Sequence, residues 1–161
     1  MKKLLIYLLL AAMILSFVAC KKEETAPTED GKTYTFTSGT TKIALGADIS
    51  TILAVLGEWR AYDESPSCAF EGMDKIYEYS GFEIYTQPNG EKDIVYMIRL
   101  FDDTVATEEG IRVGSAKDAV IATYGTATQA SDSNLRYNAK GMYLQFSLEN
   151  GVVTSIQYGK I

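Results

Sequence analysis

The stretch Ile43-Ala44-Leu45-Gly46-Ala47-Asp48-Ile49-Ser50-Thr51-Ile52-Leu53-Ala54-Val55-Leu56-Gly57 returns without a gap as Ile111-Arg112-Val113-Gly114-Ser115-Ala116-Lys117-Asp118-Ala119-Val120-Ile121-Ala122-Thr123-Tyr124-Gly125. An aliphatic residue and a glycine open each copy, an apolar stripe at helical spacing follows, and a glycine closes it. Self-similarity of this kind narrows the choice of fold more than composition does, because it calls for two equivalent units. In the second copy Ser115, with Asp118 three positions on, makes a capping-box pattern. Val120, Ile121 and Tyr124 then share one helical face. In the first copy Asp48 is the expected cap, and Ile49, Ile52, Leu53 and Leu56 form the stripe. Gly57 and Gly125 provide the helix exits. Helices of two to three turns do not persist alone in water, so both must dock on something apolar.

The docking surface follows each helix in the chain. Residues 75–79, 82–87 and 93–101 read as strands, with Asn89-Gly90 as a tight turn. Residues 135–138, 142–148 and 152–158 match them, with Asn150-Gly151 at the corresponding turn. Tyr77 and Gly81 pair with Tyr137 and Gly141, and Val95 and Ile98 with Val153 and Ile156. Residues 33–37 add a leading strand. The expected fold is α+β: two tandem repeats, each a short helical segment followed by an antiparallel β-meander, forming one sheet with helices on one face. The first repeat spans residues 43–104 and the second 111–161, within a domain of residues 33–161. This arrangement resembles the β-lactamase inhibitor protein fold and a group of uncharacterised lipoproteins of Gram-positive bacteria. More distantly it is similar to outer-membrane-assembly lipoproteins of the SmpA/OmlA type. The resemblance implies a concave sheet surface used to grip another protein.

The first residues differ in kind from the rest. Lys2 and Lys3 precede an apolar run from Leu4 to Val18 that only Ser16 interrupts. That run falls short of the roughly 20 residues a bilayer span needs, and its layout is that of a secretory signal. Phe17-Val18-Ala19-Cys20 resembles the lipobox of bacterial lipoproteins, although Phe17 stands where Leu is usual. The resemblance implies that residues 1–19 are removed and that Cys20 carries a diacylglyceryl group. Two acyl chains hold a protein firmly at a membrane, where one does not. Lys21 and Lys22 would meet the headgroups, and residues 20–32 read as a flexible, polar tether. Losing Lys2 and Lys3 moves the formal charge from −6 to −8, which gives no electrostatic reason to seek nucleic acid.

The chain contains no histidine. That removes the Ser-His-Asp triad, the Cys-His pair and imidazole metal ligands together. Carboxylates abound, yet none stands in a recognisable catalytic frame, so no enzyme and no cofactor are expected. Asp102, Asp103, Glu108 and Glu109 read as a solvated connection between the repeats, with a Ca²⁺ site as the alternative. With Cys20 acylated, Cys68 has no intramolecular partner. It reads as a small buried apolar residue, with an exposed, redox-sensitive or intermolecularly paired thiol as the alternative.

The two copies depart from symmetry between the helix and the first Tyr of the meander. The first copy carries a longer connection, residues 58–74, which holds the only tryptophan. Trp59, Arg60, Tyr62 and Phe70 in this connection are residue types enriched in binding hot spots, placed on a loop. The other reading is that Trp59 and Phe70 fold back over the core edge. On the strands, alternation sends Phe82 and Ile84 to one face, and Glu83 and Tyr85 to the other. In the second copy Met142, Leu144, Phe146 and Leu148 face the core, while Tyr143, Gln145, Ser147 and Glu149 face away. A sheet face mixing Tyr with short polar groups suits protein recognition. The expected function is therefore an extracytoplasmic, membrane-anchored module that binds a protein or a cell-wall component. Its candidate site residues are Trp59, Arg60, Tyr62, Phe70, Tyr85 and Tyr143. Inhibition of an envelope hydrolase is a sub-case implied by the fold resemblance alone. The alternative is a structural component of an envelope complex with no ligand of its own.

Overall fold

A computed structural model describes residues 33–161; the expected signal segment, Cys20 and the whole of the expected tether lie outside them. Its elements are β1 (Phe36–Ser38), β2 (Thr41–Ile43), α1 (Ile49–Leu56), β3 (Ala61–Pro66), β4 (Met73–Glu78), β5 (Phe82–Asn89), β6 (Lys92–Leu100), α2 (Lys117–Tyr124), β7 (Gln129–Ala130), β8 (Asn134–Ala139), β9 (Met142–Glu149) and β10 (Val152–Lys160). The class is α+β and mostly sheet. Eight strands form one antiparallel sheet in the order β3-β4-β5-β6-β10-β9-β8-β7, and β1 pairs with β2 in a separate hairpin. The expected leading strand at residues 33–37 is thus displaced toward the first arm of that hairpin. Its second arm, β2, was not anticipated.

Two meanders meet at the β6–β10 seam. Leu100 lies opposite Ile156 and Ile98 opposite Tyr158, and all four are buried. The pleat carries the same division outward on both sides. Phe82, Ile84 and Thr86 of β5 turn inward, as do Leu144, Phe146 and Leu148 of β9. Cross-strand register lines these residues up: Ile84 with Ile98, and Leu144 with Tyr158. Burying each large apolar side chain contributes about 1.5–3 kcal/mol. The β1–β2 hairpin closes part of this inner face. Phe36 and Ile43 are fully buried, and the Phe36 ring meets Phe82 edge-on at 4.9 Å.

Each helix is pinned where it enters the sheet. Gly46 N–H donates to Val95 O at 2.7 Å and Val95 N–H to Ala47 O at 3.0 Å. Before α2, Gly114 N–H donates to Val153 O at 2.8 Å and Val153 N–H to Ser115 O at 2.9 Å. Asp48 caps α1 as expected, its Oδ1 accepting from Ser50 N–H at 3.0 Å. The expected Ser115 box does not form. Ala116 is the N-cap of α2 and brings no side-chain bond, because pairing with β10 holds Ser115 one residue too early. Its Oγ instead accepts from Arg112 N–H at 3.1 Å. Of the expected stripe on α2, Val120 is buried, Tyr124 is half-buried, and Ile121 is 41% exposed. Both helices stop as expected. Gly57 (φ 77°, ψ −156°) and Gly125 (φ 79°, ψ −148°) occupy a backbone region that is essentially glycine's alone.

Two other expectations shift. Asn150-Gly151 does make the β9–β10 turn, between the paired Glu149 and Val152. In the first meander Asn89 still pairs with Lys92, so Gly90-Glu91 makes the turn instead. The connection of residues 58–74 is also not simply a loop, because it contains the six-residue strand β3 at the sheet edge.

Because the seam residues belong to one continuous core, a lesion there should unfold the whole domain together. Ile156→Ala is expected to cost about 2–5 kcal/mol and to lower one single thermal transition. Calorimetry resolving two transitions, one unmoved, would contradict this.

Candidate functional site

The sheet face opposite the core is built from alternate residues of the same strands. The β1–β2 hairpin, α1 and α2 all send their buried residues to the inner side. Among the described residues, the outer face is therefore lined by sheet side chains, all of them partly accessible.

Two clusters organise it. On β5 and β6, Arg99 grips Glu83 with two charge-assisted bonds, Nε–Oε2 at 2.8 Å and Nη2–Oε1 at 2.9 Å. Tyr85 Oη donates to the same Glu83 carboxylate at 2.5 Å. Burial alone works to raise the Glu83 carboxyl, but the bonds from Arg99 and Tyr85 together hold it below its ordinary range. Partial burial, then the bond to Glu83, pushes the Tyr85 phenol up to about 12. Tyr85 therefore stays a neutral donor at any physiological pH.

On the second meander, Tyr143 lies flat against the sheet over Gly159. A Cβ built at Gly159 would overlap the far end of the Tyr143 ring, so this glycine makes room for the aromatic (a close approach of the kind that marks glycine within a strand). The Arg136 guanidinium stacks on the same ring, Cζ 3.7 Å from its centroid. Arg136 Nε–H also donates to Asn138 Oδ1 at 3.1 Å. Among the described residues no carboxylate pairs with Arg136. Tyr143 thus serves as the floor for a flat, fixed guanidinium with its remaining donors toward solvent.

At the sheet edge, Trp59 and Tyr62 form an aromatic shelf on Tyr77. Ring centroids lie 5.8 Å apart for Trp59–Tyr62, 5.3 Å for Trp59–Tyr77 and 5.2 Å for Tyr62–Tyr77. Tyr77 is buried, whereas Trp59 is 43% and Tyr62 42% exposed. Trp59 therefore neither folds into the core nor swings free. Tyr62 Oη donates to Glu64, and burial, followed by that bond, raises its phenol. Arg60 is exposed, with its N–H on Glu78 O at 2.7 Å. Phe70 sits elsewhere, at the tip of the β3–β4 hairpin. It is 48% exposed and lines a hollow of about 510 Å³ with Glu71, Pro88, Asn89 and Gly90. The six candidate residues thus fall on three surfaces. Trp59, Arg60 and Tyr62 share the edge, Tyr85 and Tyr143 share the outer face with two strands between them, and Phe70 stands alone.

Arg136, Arg99 and Gly159 were not among the sequence candidates. Alternation within Leu135-Arg136-Tyr137 turns Arg136 outward, so its signal was present, whereas Gly159 falls just past the strand expected at residues 152–158 and only the structure brings it inside β10. Of the acids at residues 102–109, Asp102, Glu108 and Glu109 are taken up in hydrogen bonds. Asp102 Oδ1 accepts from Thr104 N–H at 2.8 Å, Glu108 accepts from Thr37 Oγ1 at 3.0 Å, and Glu109 accepts from Tyr124 Oη. Among the described residues no three carboxylate or thiol groups converge on a point where a metal ion would sit. Cys68 is free and exposed, which corrects its reading as a buried apolar residue; it lies beyond β3, where the hairpin has left the core.

Two outcomes follow. The folded-state value of Glu83 lies below its ordinary 4.5, so its contribution to stability is complete above that value and fades as pH falls through the lower one. Glu83→Gln should cost about 1 kcal/mol at pH 7, since Arg99 is partly solvated, and the gap to the unmodified protein should close between about pH 5 and 3. Melting temperatures across that range check it. Separately, a thiol reagent should label Cys68 in the native protein, with the modified peptide identified by mass spectrometry; labelling only in denaturant would refute its exposure.

No family model and no curated protein matches this chain. Similar solved structures include a cysteine-rich secretory protein from Staphylococcus aureus subsp. aureus Mu50, with a TM-score of 0.51 at 9% identity over 72% of this chain and 43% of that one. Another is an extracellular protein containing a SCP domain from Bacillus anthracis str. Ames, with a TM-score of 0.44 at 12% identity over 72% of this chain and 44% of that one. The chain spans less than half the length of either. The expected likeness to β-lactamase inhibitor protein and to SmpA/OmlA-type lipoproteins is thereby corrected. A glycine-bounded helix before an antiparallel meander is a local pattern, compatible with more than one way of completing a sheet. What the chain shares with the first of these proteins, at so low an identity, is the fold.

Proposed function

We propose that the chain is a membrane-anchored, extracytoplasmic binding module that engages a protein or a cell-wall component, without cofactor or catalysis. The observation that carries this reading is the Gly159–Tyr143–Arg136 stack on the outer face. Tyr143 is held against the sheet, and Arg136 is held on Tyr143 with no counter-charge among the described residues. A preorganised guanidinium loses little freedom when it meets a ligand, which makes it an economical recognition element. Among the described residues no helix is long and apolar enough to cross a membrane. Anchoring in this reading falls to the acylated Cys20, behind the signal segment of residues 1–19. The inhibitor sub-case rested on the corrected likeness and is not carried further.

The same reading includes a tandem repeat. It is supported by the matched pinning bonds at Gly46 and Gly114, by the matched glycine exits at Gly57 and Gly125, and by two meanders that meet at their last strands. One detail runs against strict equivalence. The bond to the helix exit comes from Tyr79 Oη to Gly57 O in one half, and from Tyr137 Oη to Gly125 O in the other. Tyr77, not Tyr79, is the counterpart of Tyr137 by register, since they face Ile84 and Leu144.

Chemical crosslinking in intact cells, with the full chain as bait, tests the reading. Gly159→Ala pushes Tyr143 off the sheet and unseats Arg136, at an overpacking cost of about 1–3 kcal/mol that the flexible far end of Tyr143 keeps low. It should abolish the crosslinked partner while the protein stays folded. Trp59→Ala should weaken capture at a stability cost of about 1 kcal/mol. Capture unchanged by both substitutions would overturn the binding-module reading in favour of an assembly component.

A further inference from the structure

The two ends of the eight-stranded sheet are unlike. At one end β7 is two residues long, too short to template another strand, which is a common protection of sheet edges. At the other end β3 runs for six residues, every one of them exposed. Among the described residues it has β4 on one side and no strand on the other. Ser67 N–H bonds Gly72 O at 3.0 Å. Alternation along the β3–β4 register then turns the amides of Ala61, Asp63 and Ser65 toward β4. The N–H and C=O groups of Tyr62 and Glu64 consequently point outward, at the open side.

The walls beside this edge differ by face. On the inner side stands the Trp59–Tyr62 shelf. On the outer side is a hollow of about 190 Å³ lined by Ala61, Tyr62, Asp63, Ile76, Glu78 and Glu83. Glu83 in that lining is neutralised by Arg99, whereas among the described residues Asp63 and Glu78 have no basic partner. Acids on an edge strand oppose pairing with a second copy of this chain, because an antiparallel β3–β3 pair would bring Asp63 and Glu64 against their own kind. The same acids favour a strand of opposite sign.

We propose that β3 accepts an extended basic peptide segment of a partner protein, added as a further strand. Main-chain bonds to Tyr62 and Glu64 supply the pairing. The side chains of the added strand alternate, apolar ones lying on the Trp59–Tyr62 shelf and Lys or Arg ones reaching Asp63 and Glu78 over the Ile76 floor. This inference rests on the binding-module reading and names the chemistry of its partner.

Trp59 is the chain's single tryptophan, so its emission reports directly on the edge. The full chain in detergent is titrated with an acetylated, amidated hexapeptide of alternating Val and Lys. Saturable change in Trp59 emission is expected, weakening as salt is raised. A Val-Glu peptide, and a Val-Lys peptide N-methylated on alternate amides, should each bind at least ten-fold more weakly. Glu64→Pro removes an outward N–H without touching the bonds to β4, a position where an edge strand tolerates proline. It should lose at least ten-fold in affinity with little change in melting temperature. Glu64→Gln keeps the amide and should lose only part of the affinity, which covers the case where the proline variant fails to fold. The proposal is overturned by equal binding of the N-methylated peptide, by no binding up to millimolar peptide, or by a concentration-dependent dimer that Glu64→Pro dissolves, since that would make a second copy the occupant. Crosslinking in cells separates this from the wider reading: partner capture lost in Gly159→Ala yet intact in Glu64→Pro leaves the outer-face reading standing and removes the edge.

Discussion

Pairing between β6 and β10 is the contact on which the rest of the architecture hangs. Leu100 opposite Ile156 and Ile98 opposite Tyr158 bury one apolar row across the join. A two-stranded ribbon alone is marginal in water, and several strands with a covered apolar face are needed for independent stability. Joining the last strand of each meander makes a single wide sheet whose inner face two short helices and one hairpin cover. The join also determines where the two unpaired edges fall, one at each first strand, as far from each other as the sheet allows.

The same join shapes the outer face. Gly159 on β10 lies opposite Met97 on β6 and opposite Tyr143 on β9. The missing side chain at Gly159 is therefore a gap in the middle of the sheet, which Tyr143 fills and Arg136 roofs. Toward the first meander, Arg99 and Glu83 neutralise each other across β6 and β5. One guanidinium is thus spent inside the sheet and the other is left presented. Among the described residues, this uneven use of two arginines leaves an unpaired positive group over the second meander, while over the first Glu83 is paired and Asp63 and Glu78 are not.

Much of this was legible in local pattern, where burial on one side writes itself into the sequence. Strands β5, β6, β9 and β10 alternate apolar and polar residues because one side faces the core, and Tyr85 and Tyr143 could be assigned outward on that basis alone. Strand β3 could not. Its residues Ala61, Tyr62, Asp63, Glu64, Ser65 and Pro66 are exposed on both faces, so no alternation is imposed and the segment reads as a loop. The Ser115 cap failed for a related reason. Its local chemistry favours capping, but pairing of the preceding backbone with β10 decides where α2 begins. Cys68 was misplaced because small apolar surroundings in sequence say nothing about a hairpin that extends beyond the core.

The sequence by itself determined the helix stops at Gly57 and Gly125, the turn at Asn150-Gly151, and the inward and outward sets of the long strands. These depend on backbone conformation and on a two-residue period, both local quantities. It also excluded, through the absence of histidine, the chemistries that need an imidazole. Only the tertiary structure decided that the meanders join through β6 and β10, that Arg136 lies on Tyr143 over Gly159, and that β3 ends the sheet, among the described residues, beside the Trp59–Tyr62 shelf. Those are contacts between residues far apart in the chain, and their register is set by which strands find each other, a choice that no single segment encodes.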